Sequence, residues 1–148
     1  MVSCGGGVVL LQRMFKRMGM LMKFHQDGTL PQNGEVFVFG SNLAGVHGAG
    51  AAKAALEKFG AVMGRGRGLQ GNSWAIPTKD ENIKTMHLAQ IEEEVIYFLN
   101  QAESTPAINY FVTRIGCGLA GYTDADIAPM FRGAPDNCSF AEQWKEYL

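Results

Sequence analysis

The sequence predicts an α/β domain in which strands and helices form layers. Two observations support this fold class. The apolar runs Glu35–Phe39 and Ile108–Ile115, rich in β-branched and aromatic residues, are typical of buried strands. Each run leads into a glycine-rich loop and then into a helix-like stretch. The predicted order is strand, strand, helix, strand, helix, strand, helix, helix.

The first part of this order begins with a strand over Met20–Phe24. Turn residues over Gly28–Gly34 separate it from the buried strand Glu35–Phe39. A helix is predicted over Gly48–Phe59, because small and apolar residues recur on one face and charged residues lie elsewhere. This helix is expected to pack through a small-residue face.

The middle of the chain is predicted to be a loop, a strand and a helix. Val62–Asn72, which contains GRGRG, has loop composition, and Ser73–Ile76 is a strand that Pro77 ends. Thr85–Ala102 is predicted to be a helix, since its apolar residues repeat at intervals of three and four while an acidic run faces water.

The C-terminal part holds a further strand and two helices. Ile108–Ile115 is a candidate for a central strand of the sheet. Thr123 is predicted to cap a helix that runs through Phe131. The letters SFAE over Ser139–Glu142 match a capping box, which predicts that a terminal helix begins there.

Composition limits the classes of function. A chain of 148 residues suits one domain, and 13 basic against 14 acidic residues produce no field that attracts nucleic acid in bulk. Three cysteines without a CxxC pair fit a reducing cytoplasm better than a disulfide scaffold. The N-terminal charge order and apolar length match neither a signal peptide nor a membrane span. A cytoplasmic location without a membrane partner is expected.

Residues 1–19 differ in pattern from the rest of the chain. They combine a triple glycine with interspersed methionines. They are interpreted as an N-terminal extension of uncertain role before a single domain over 20–148, although the pattern leaves equally open that they belong to that domain.

The first glycine-rich loop, FGSNLAGVHGAGAA over Phe39–Ala52, has the chemistry of an anion site. Gly48 and Gly50 lack Cβ atoms, so amides at a helix N-terminus can approach a diphosphate, and the helix dipole favours the anion. Asn42 adds an amide suited to ribose hydroxyls or a bound water. The alternative is that the glycines only make a tight turn. A second, similar loop shifts the balance toward a nucleotide-like ligand.

That second loop is RIGCGLAGY over Arg114–Tyr122. Gly116, Gly118 and Gly121 allow the backbone to wrap a phosphate or a ribose, and Tyr122 can either cover the ligand or pack as an ordinary core residue. Neither loop is a P-loop or a GxGxxG fingerprint. An ATPase or a dinucleotide dehydrogenase is therefore poorly supported.

Other candidate residues each have two interpretations. His47 can serve as an acid or base or bind a phosphate, or it can be a plain loop histidine. Cys117 lies where amides can lower the pKa of a thiol, yet without an adjacent histidine it is interpreted as a small packing residue. His25 and His87 lack ligand spacing with any cysteine or acidic cluster. Neither a metal nor another cofactor is expected.

Three segments resemble a macrodomain in order and spacing: GSNLAGVHGAGAAKAALEKFGA, SWAIPTKD and FVTRIGCGLAGYTDADIAPMF. The resemblance covers roughly Glu35–Phe131. Its strings look like the branch of terminal ADP-ribose protein glycohydrolases and antitoxin macrodomains, and some phage-encoded proteins carry similar sequences. It implies a three-layer α/β/α fold with a mixed central sheet. It also implies a cleft for ADP-ribose or a related nucleotide, free or attached to a macromolecule. The implied ligand-binding residues are Gly40, Ser41, Asn42, Gly48, Ala49, Gly50, Ala51, Ile115, Gly116, Cys117, Gly118, Leu119, Ala120, Gly121 and Tyr122.

Catalysis carries over less directly from this resemblance. In the glycohydrolase branch a lysine attacks the distal ribose, and an acidic residue just after the GCGL string assists it. Lys79 matches the lysine, but Ala120 occupies the position of the acid. The candidate catalytic residues are therefore Lys79, His47 and Asn42, with Asn42 or His47 positioning a water and Lys79 stabilising charge.

These residues leave two classes of function open. One is hydrolysis of an ADP-ribosyl bond or of a 1″-phosphate. The other is a non-catalytic nucleotide sensor or a phage-type interaction module that uses the same cleft. The resemblance also implies an acidic residue near adenine, for which Asp27 is the candidate that precedes Glu35, and Phe24 or Phe111 can supply an apolar wall.

Overall fold

The structure is a computed structural model that describes residues 22–148. The interpretation of residues 1–19, and the start of the first predicted strand at Met20, lie outside the described residues. The strands are β1 Lys23–His25, β2 Val36–Asn42, β3 Gly68–Gln70, β4 Ser73–Lys79, β5 Tyr110–Val112 and β6 Cys138–Ala141. The α-helices are α1 Gly50–Lys58, α2 Leu88–Ser104 and α3 Asp124–Ile127, and Ala128–Phe131 and Glu142–Tyr147 are 3-10 helices.

The strands form one six-stranded mixed sheet in the order β1-β6-β5-β2-β4-β3. The first five of these strands run parallel, and β3 runs antiparallel to β4. From β2 the chain passes through α1 to β4 on one side, and then through α2 to β5 on the other. The connections therefore diverge at β2, which is the kind of switch point where α/β sheets bind ligands.

Alternate residues of β2 enter two different hydrophobic cores. Val36 and Val38 belong to the larger core, which α2 and the C-terminal 3-10 helices cover. Phe37 and Phe39 face α1 in the smaller core. Successive strand residues point to opposite faces of the sheet, so the apolar run of β2 is buried on both faces. The sheet is thus the middle layer of an α/β/α domain, and the predicted fold class is confirmed.

Several elements occur where local patterns predict them. The strand Glu35–Phe39 is present as β2, and Ala52 and Ala55 form the buried small-residue face of α1. The Thr123 hydroxyl accepts a hydrogen bond from Asp126 N at 3.3 Å, which begins α3 as predicted. The backbone continues to Phe131 as a 3-10 helix with a proline in its first turn.

Two predictions around β4 are wrong. Pro77 does not end the strand, which continues to Lys79. The register between β2 and β4 shifts directly after the Ser41–Pro77 pair, and a bulge of this kind accommodates a residue without an N–H. The predicted loop Val62–Asn72 contains β3, whose hairpin with β4 turns at Gly71 with φ of 58°.

Two predictions in the C-terminal part also need correction. The strand Ile108–Ile115 is reduced to Tyr110–Val112, because the chain turns at Thr113, where the carbonyl accepts from Ile115 N at 2.8 Å. Ser139 does not cap a helix. It lies in β6, paired on both sides by β1 and β5, and its hydroxyl lies 2.6 Å from His25 Nδ1.

Candidate functional site

A cleft of about 670 Å³ lies at the C-terminal ends of β2, β4 and β5. This volume is in the range of small-molecule sites, and the location is where parallel sheets bind ligands. Both glycine-rich loops line it. The predicted site residues that line the cleft are Gly40, Ser41, Asn42, Gly48, Ala49, Gly50, Ala51, Lys79, Ile115, Gly116, Cys117, Gly118, Leu119 and Ala120. The structure places His47, Gly121 and Tyr122 outside its lining.

The side chain of Asn42 shapes the first loop. Its Nδ2 donates to Val46 O at 2.9 Å, and its Oδ1 accepts from Val46 N at 3.0 Å. The Asn42 carbonyl accepts from Gly45 N at 2.9 Å. These three bonds close residues 42–46 into a tight turn. Asn42 is therefore a structural element of the cleft wall, and its amide is largely engaged before any ligand arrives.

Helix α1 begins inside the cleft without a cap. Its N-cap residue, Ala49, has no side chain that can accept a hydrogen bond, and no acidic residue lies in the first turn. The first hydrogen bond of the helix runs from Lys53 N to Ala49 O at 3.2 Å. The amides of Gly50, Ala51 and Ala52 precede it and have no partner within the helix. An anion in the cleft would meet these amides and the positive end of the helix dipole.

The second loop faces the first across the cleft. Gly116 has φ of 73°, and a Cβ there would lie 3.1 Å from Ile127 Cδ1, so this turn is specific to glycine. Among the described residues, the amides of Gly118, Leu119 and Ala120 donate to no other group. Successive free amides of this kind form an anion-binding concavity.

Tyr122 does not cover the cleft, although the sequence allowed that role. Its amide donates to Gly116 O at 2.9 Å, and its hydroxyl donates to Met86 O at 2.6 Å. The ring packs against the larger core. Tyr122 therefore stabilises the second loop through two hydrogen bonds. It is a packing residue, which is the second of the two roles that the sequence allowed.

His47 is a buried structural residue, so the predicted catalytic role does not fit its position. The side chain is fully buried and meets the ring of Phe39 edge-on at 5.3 Å. Its Nε2 lies 3.0 Å from both Val62 O and Arg65 O. Because both partners are carbonyls, Nε2 carries the proton and donates. The imidazole holds residues 62–65 against the first loop and does not line the cleft.

Lys79 is the cation at the β4 side of the cleft. The neighbouring Asp80 does not line the cleft, and its Oδ1 accepts hydrogen bonds from Asn82 N at 2.8 Å and from Lys84 N at 3.0 Å. These bonds fold residues 80–84 into a hairpin. The hairpin is attached to the second loop, since Thr85 Oγ1 donates to Ala120 O at 3.1 Å.

An ion-pair network forms the opposite side of the cleft. Arg114 donates to both oxygens of Asp124, at 2.9 and 2.7 Å, and its Nη1 donates to Asp27 Oδ2 at 3.0 Å. Trp144 Nε1 donates to Asp124 Oδ1 at 2.7 Å. The Arg114 guanidinium lowers the pKa of the Asp124 carboxyl. Burial, assisted by Asp124, raises the pKa of the Cys117 thiol to about 12. Cys117 is thus a protonated packing residue of the cleft wall.

The β1 side of the cleft contains Phe111, a predicted contact of the base, together with His25 and Leu30, which the sequence interpretation did not assign to a ligand. The His25 ring stacks on Phe111 with centroids 3.6 Å apart and planes at 15°, and both rings line the cleft beside Leu30. Burial lowers the pKa of His25. Of the two aromatic residues predicted near the base, Phe111 lines the cleft, whereas Phe24 packs against the larger core. The sequence signal that could have indicated a role for His25 is its position directly after the first predicted strand, Met20–Phe24.

Comparison of the chain with models of protein families, with curated proteins and with solved structures finds no match. No helix within residues 22–148 is both long and apolar enough to cross a bilayer. In the same part of the chain, no three histidine, cysteine or acidic side chains are grouped as metal ligands.

Proposed function

We propose that the cleft binds ADP-ribose or a closely related nucleotide diphosphate. The observation that carries this proposal is the pair of opposed loops, whose free amides face one space of about 670 Å³ at the switch point of the sheet. Backbone amides at a helix N-terminus and in a glycine-rich turn are donors suited to a diphosphate. The sequence resemblance to macrodomains supports the same ligand independently of the cleft geometry.

The base of the nucleotide fits the β1 side. His25 and Phe111 present a stacked aromatic surface there, and Leu30 adds an apolar contact. Asp27 lies at the same side with its Oδ2 held by Arg114, so its carboxylate is oriented. An aromatic surface beside an oriented acceptor is suited to a purine that carries an exocyclic amino group.

The second ribose fits the β4 side, beside Lys79. The ends of β1 and β4 are four strand spacings apart, or about 19 Å. This span accommodates an extended base, ribose, diphosphate and second ribose. Within the described lining, the acidic residue is Asp27, at the far side from Lys79. This separation favours the non-catalytic alternative, in which Lys79 neutralises charge and is not paired with a catalytic acid.

The binding proposal is tested by calorimetric titration with ADP-ribose, using AMP and ADP as controls. We expect micromolar binding that is selective for ADP-ribose. Ala51→Glu should weaken it at least about ten-fold, because a carboxylate among the first-turn amides competes with the diphosphate. Ala89→Glu adds the same charge to the exposed first turn of α2, outside the cleft, and should leave affinity unchanged. Failure of the wild-type protein to bind ADP-ribose would refute the proposal.

The hydrolytic alternative is tested in the same samples. The recovered ligand, an ADP-ribosylated peptide and ADP-ribose 1″-phosphate are analysed for cleavage. Cleavage that is lost in Lys79→Ala and kept in Lys84→Ala would assign a hydrolase, because Lys84 is exposed and does not line the cleft. Intact substrates in the presence of bound ADP-ribose would assign a sensor or interaction module.

A further inference from the structure

Three exposed apolar side chains surround the β4 side of the cleft. Val46 is 50% exposed, Ile83 44% and Leu119 75%, and all three line the cleft. They come from three separate segments: the first loop, the hairpin after β4 and the second loop. We call these three side chains the apolar rim. Exposed apolar groups gathered at one opening mark a surface that is buried by a ligand or a partner.

The segments that carry the rim are held in place. The Val46 carbonyl accepts a hydrogen bond from Asn42 Nδ2 at 2.9 Å, and the Val46 N–H donates one to Asn42 Oδ1 at 3.0 Å. The Ile83 hairpin is closed by Asp80 N donating to Lys84 O at 2.8 Å. The same hairpin is joined to the second loop, which carries Leu119, by the Thr85–Ala120 bond. The apolar rim is therefore preorganised in the absence of a ligand.

Ile83 adds an independent observation. Its φ is 62°, and it is the residue other than glycine with positive φ in the described part of the chain. A β-branched residue is strained in this conformation. The strain is retained although the side chain is 44% exposed and gains little from the core. Backbone strain of this kind is concentrated at ligand clamps.

From the rim we propose that the nucleotide carries a planar, uncharged ring on the carbon C1″ of its second ribose. The inference rests on the proposed function, which places that ribose beside Lys79. A free hydroxyl or a phosphate at C1″ would leave the three apolar side chains in water, whereas a ring would bury them. The ligand class is a dinucleotide with a base at each end: one base at the His25–Phe111 stack and the other at the apolar rim.

NADH and ADP-ribose are the matched probes for this proposal. They share the adenosine, the diphosphate and the second ribose, and NADH adds an uncharged dihydronicotinamide ring at C1″. The wild-type protein should bind NADH about ten-fold more tightly than ADP-ribose. The fluorescence of the dihydronicotinamide should change on binding, since the ring leaves water.

A rim variant and a control variant assign the effect. The rim variant combines Val46→Ser, Ile83→Asn and Leu119→Ser. Asparagine tolerates positive φ, so the hairpin is preserved. Within this variant, the ratio of the affinities for NADH and ADP-ribose should fall from about ten to about one, whatever its affinity for ADP-ribose. The control variant makes the same kinds of change at three apolar residues that are 44–50% exposed and outside the cleft, and it should keep the preference. Its changes are Val62→Ser, Ile96→Asn and Leu69→Ser.

The outcomes separate this inference from the proposed function. Binding of ADP-ribose without a preference for NADH would overturn the inference and leave the proposed function standing. The same holds if ADP-ribose 1″-phosphate binds more tightly than NADH, or if the rim variant keeps the preference. Absence of binding by both ADP-ribose and NADH would overturn the two proposals together.

Discussion

Gly66→Ala is expected to destabilise the protein by closing a space that the first loop requires. A Cβ at Gly66 would lie 2.9 Å from Asn42 C and from Leu43 Cα, and closer still to Asn42 O. Carbon atoms in favourable contact are about 3.5–4.0 Å apart, so the two backbones must separate by roughly 1 Å. Each obstructing atom belongs to the backbone, and no side chain can rotate away. The Ser41 hydroxyl also donates to Gly66 O and ties the same segments together.

Overpacking of this kind costs about 3 kcal/mol, which lowers the melting temperature of a domain of this size by roughly 9 °C. Thermal and urea unfolding, followed by circular dichroism, measure both quantities. The separation also displaces Asn42 and the wall of the cleft, so ADP-ribose affinity should fall with stability. A Gly66→Ala protein with the melting temperature of the wild type would refute the packing argument.

Gly118→Ala is the matched control for this experiment. Gly118 lies in the second loop, has no atom within 4 Å of a built Cβ, and is outside the positive φ region. The alanine should therefore leave the unfolding free energy within about 0.5 kcal/mol of the wild type. A large loss of stability at Gly118 would show that alanine substitution itself, without a steric conflict, perturbs these loops.

Two further predictions concern the ion-pair side of the cleft. The lowered pKa of Asp124 means that its carboxylate stabilises the fold at neutral pH, and this stabilisation decreases as pH falls from about 4, the ordinary pKa of an aspartate, through the lower pKa of the folded state. Urea unfolding at pH 7 and pH 3 should show a smaller acid-induced loss for Asp124→Asn, and equal losses would contradict the role of Arg114. The raised pKa of Cys117 predicts that iodoacetamide alkylates this thiol slowly at pH 8 in a Cys4→Ser background. Alkylation should be faster when Asp124→Asn is added, because Asp124 contributes to the raised pKa. Peptide mapping identifies the modified thiol, and alkylation at the rate of a free cysteine would exclude the buried, protonated state.

Local signals in the sequence predicted the elements that depend on local physics. The apolar run of β2, the alanine face of α1 and the Thr123 cap each have a pattern complete within a few residues. Sequence patterns failed where a distant partner decided the outcome. Ser139 matched a capping box, but two neighbouring strands pair with it. The chain turns at Gly71 between β3 and β4, but the GRGRG sequence just before this hairpin has the composition of a loop, so β3 was not predicted.

The candidate site divides in the same way. Its glycine-rich loops were evident from the sequence, because free amides and positive φ require particular residues at particular positions. The sequence by itself thus determined an α/β fold with two candidate anion-binding loops. Only the tertiary structure decided which side chains meet there. It buries His47 behind the first loop, adds the His25–Phe111 stack, and gathers Val46, Ile83 and Leu119 at one opening. These are contacts between residues far apart in the chain, and they depend on strand order and register, which no local pattern specifies.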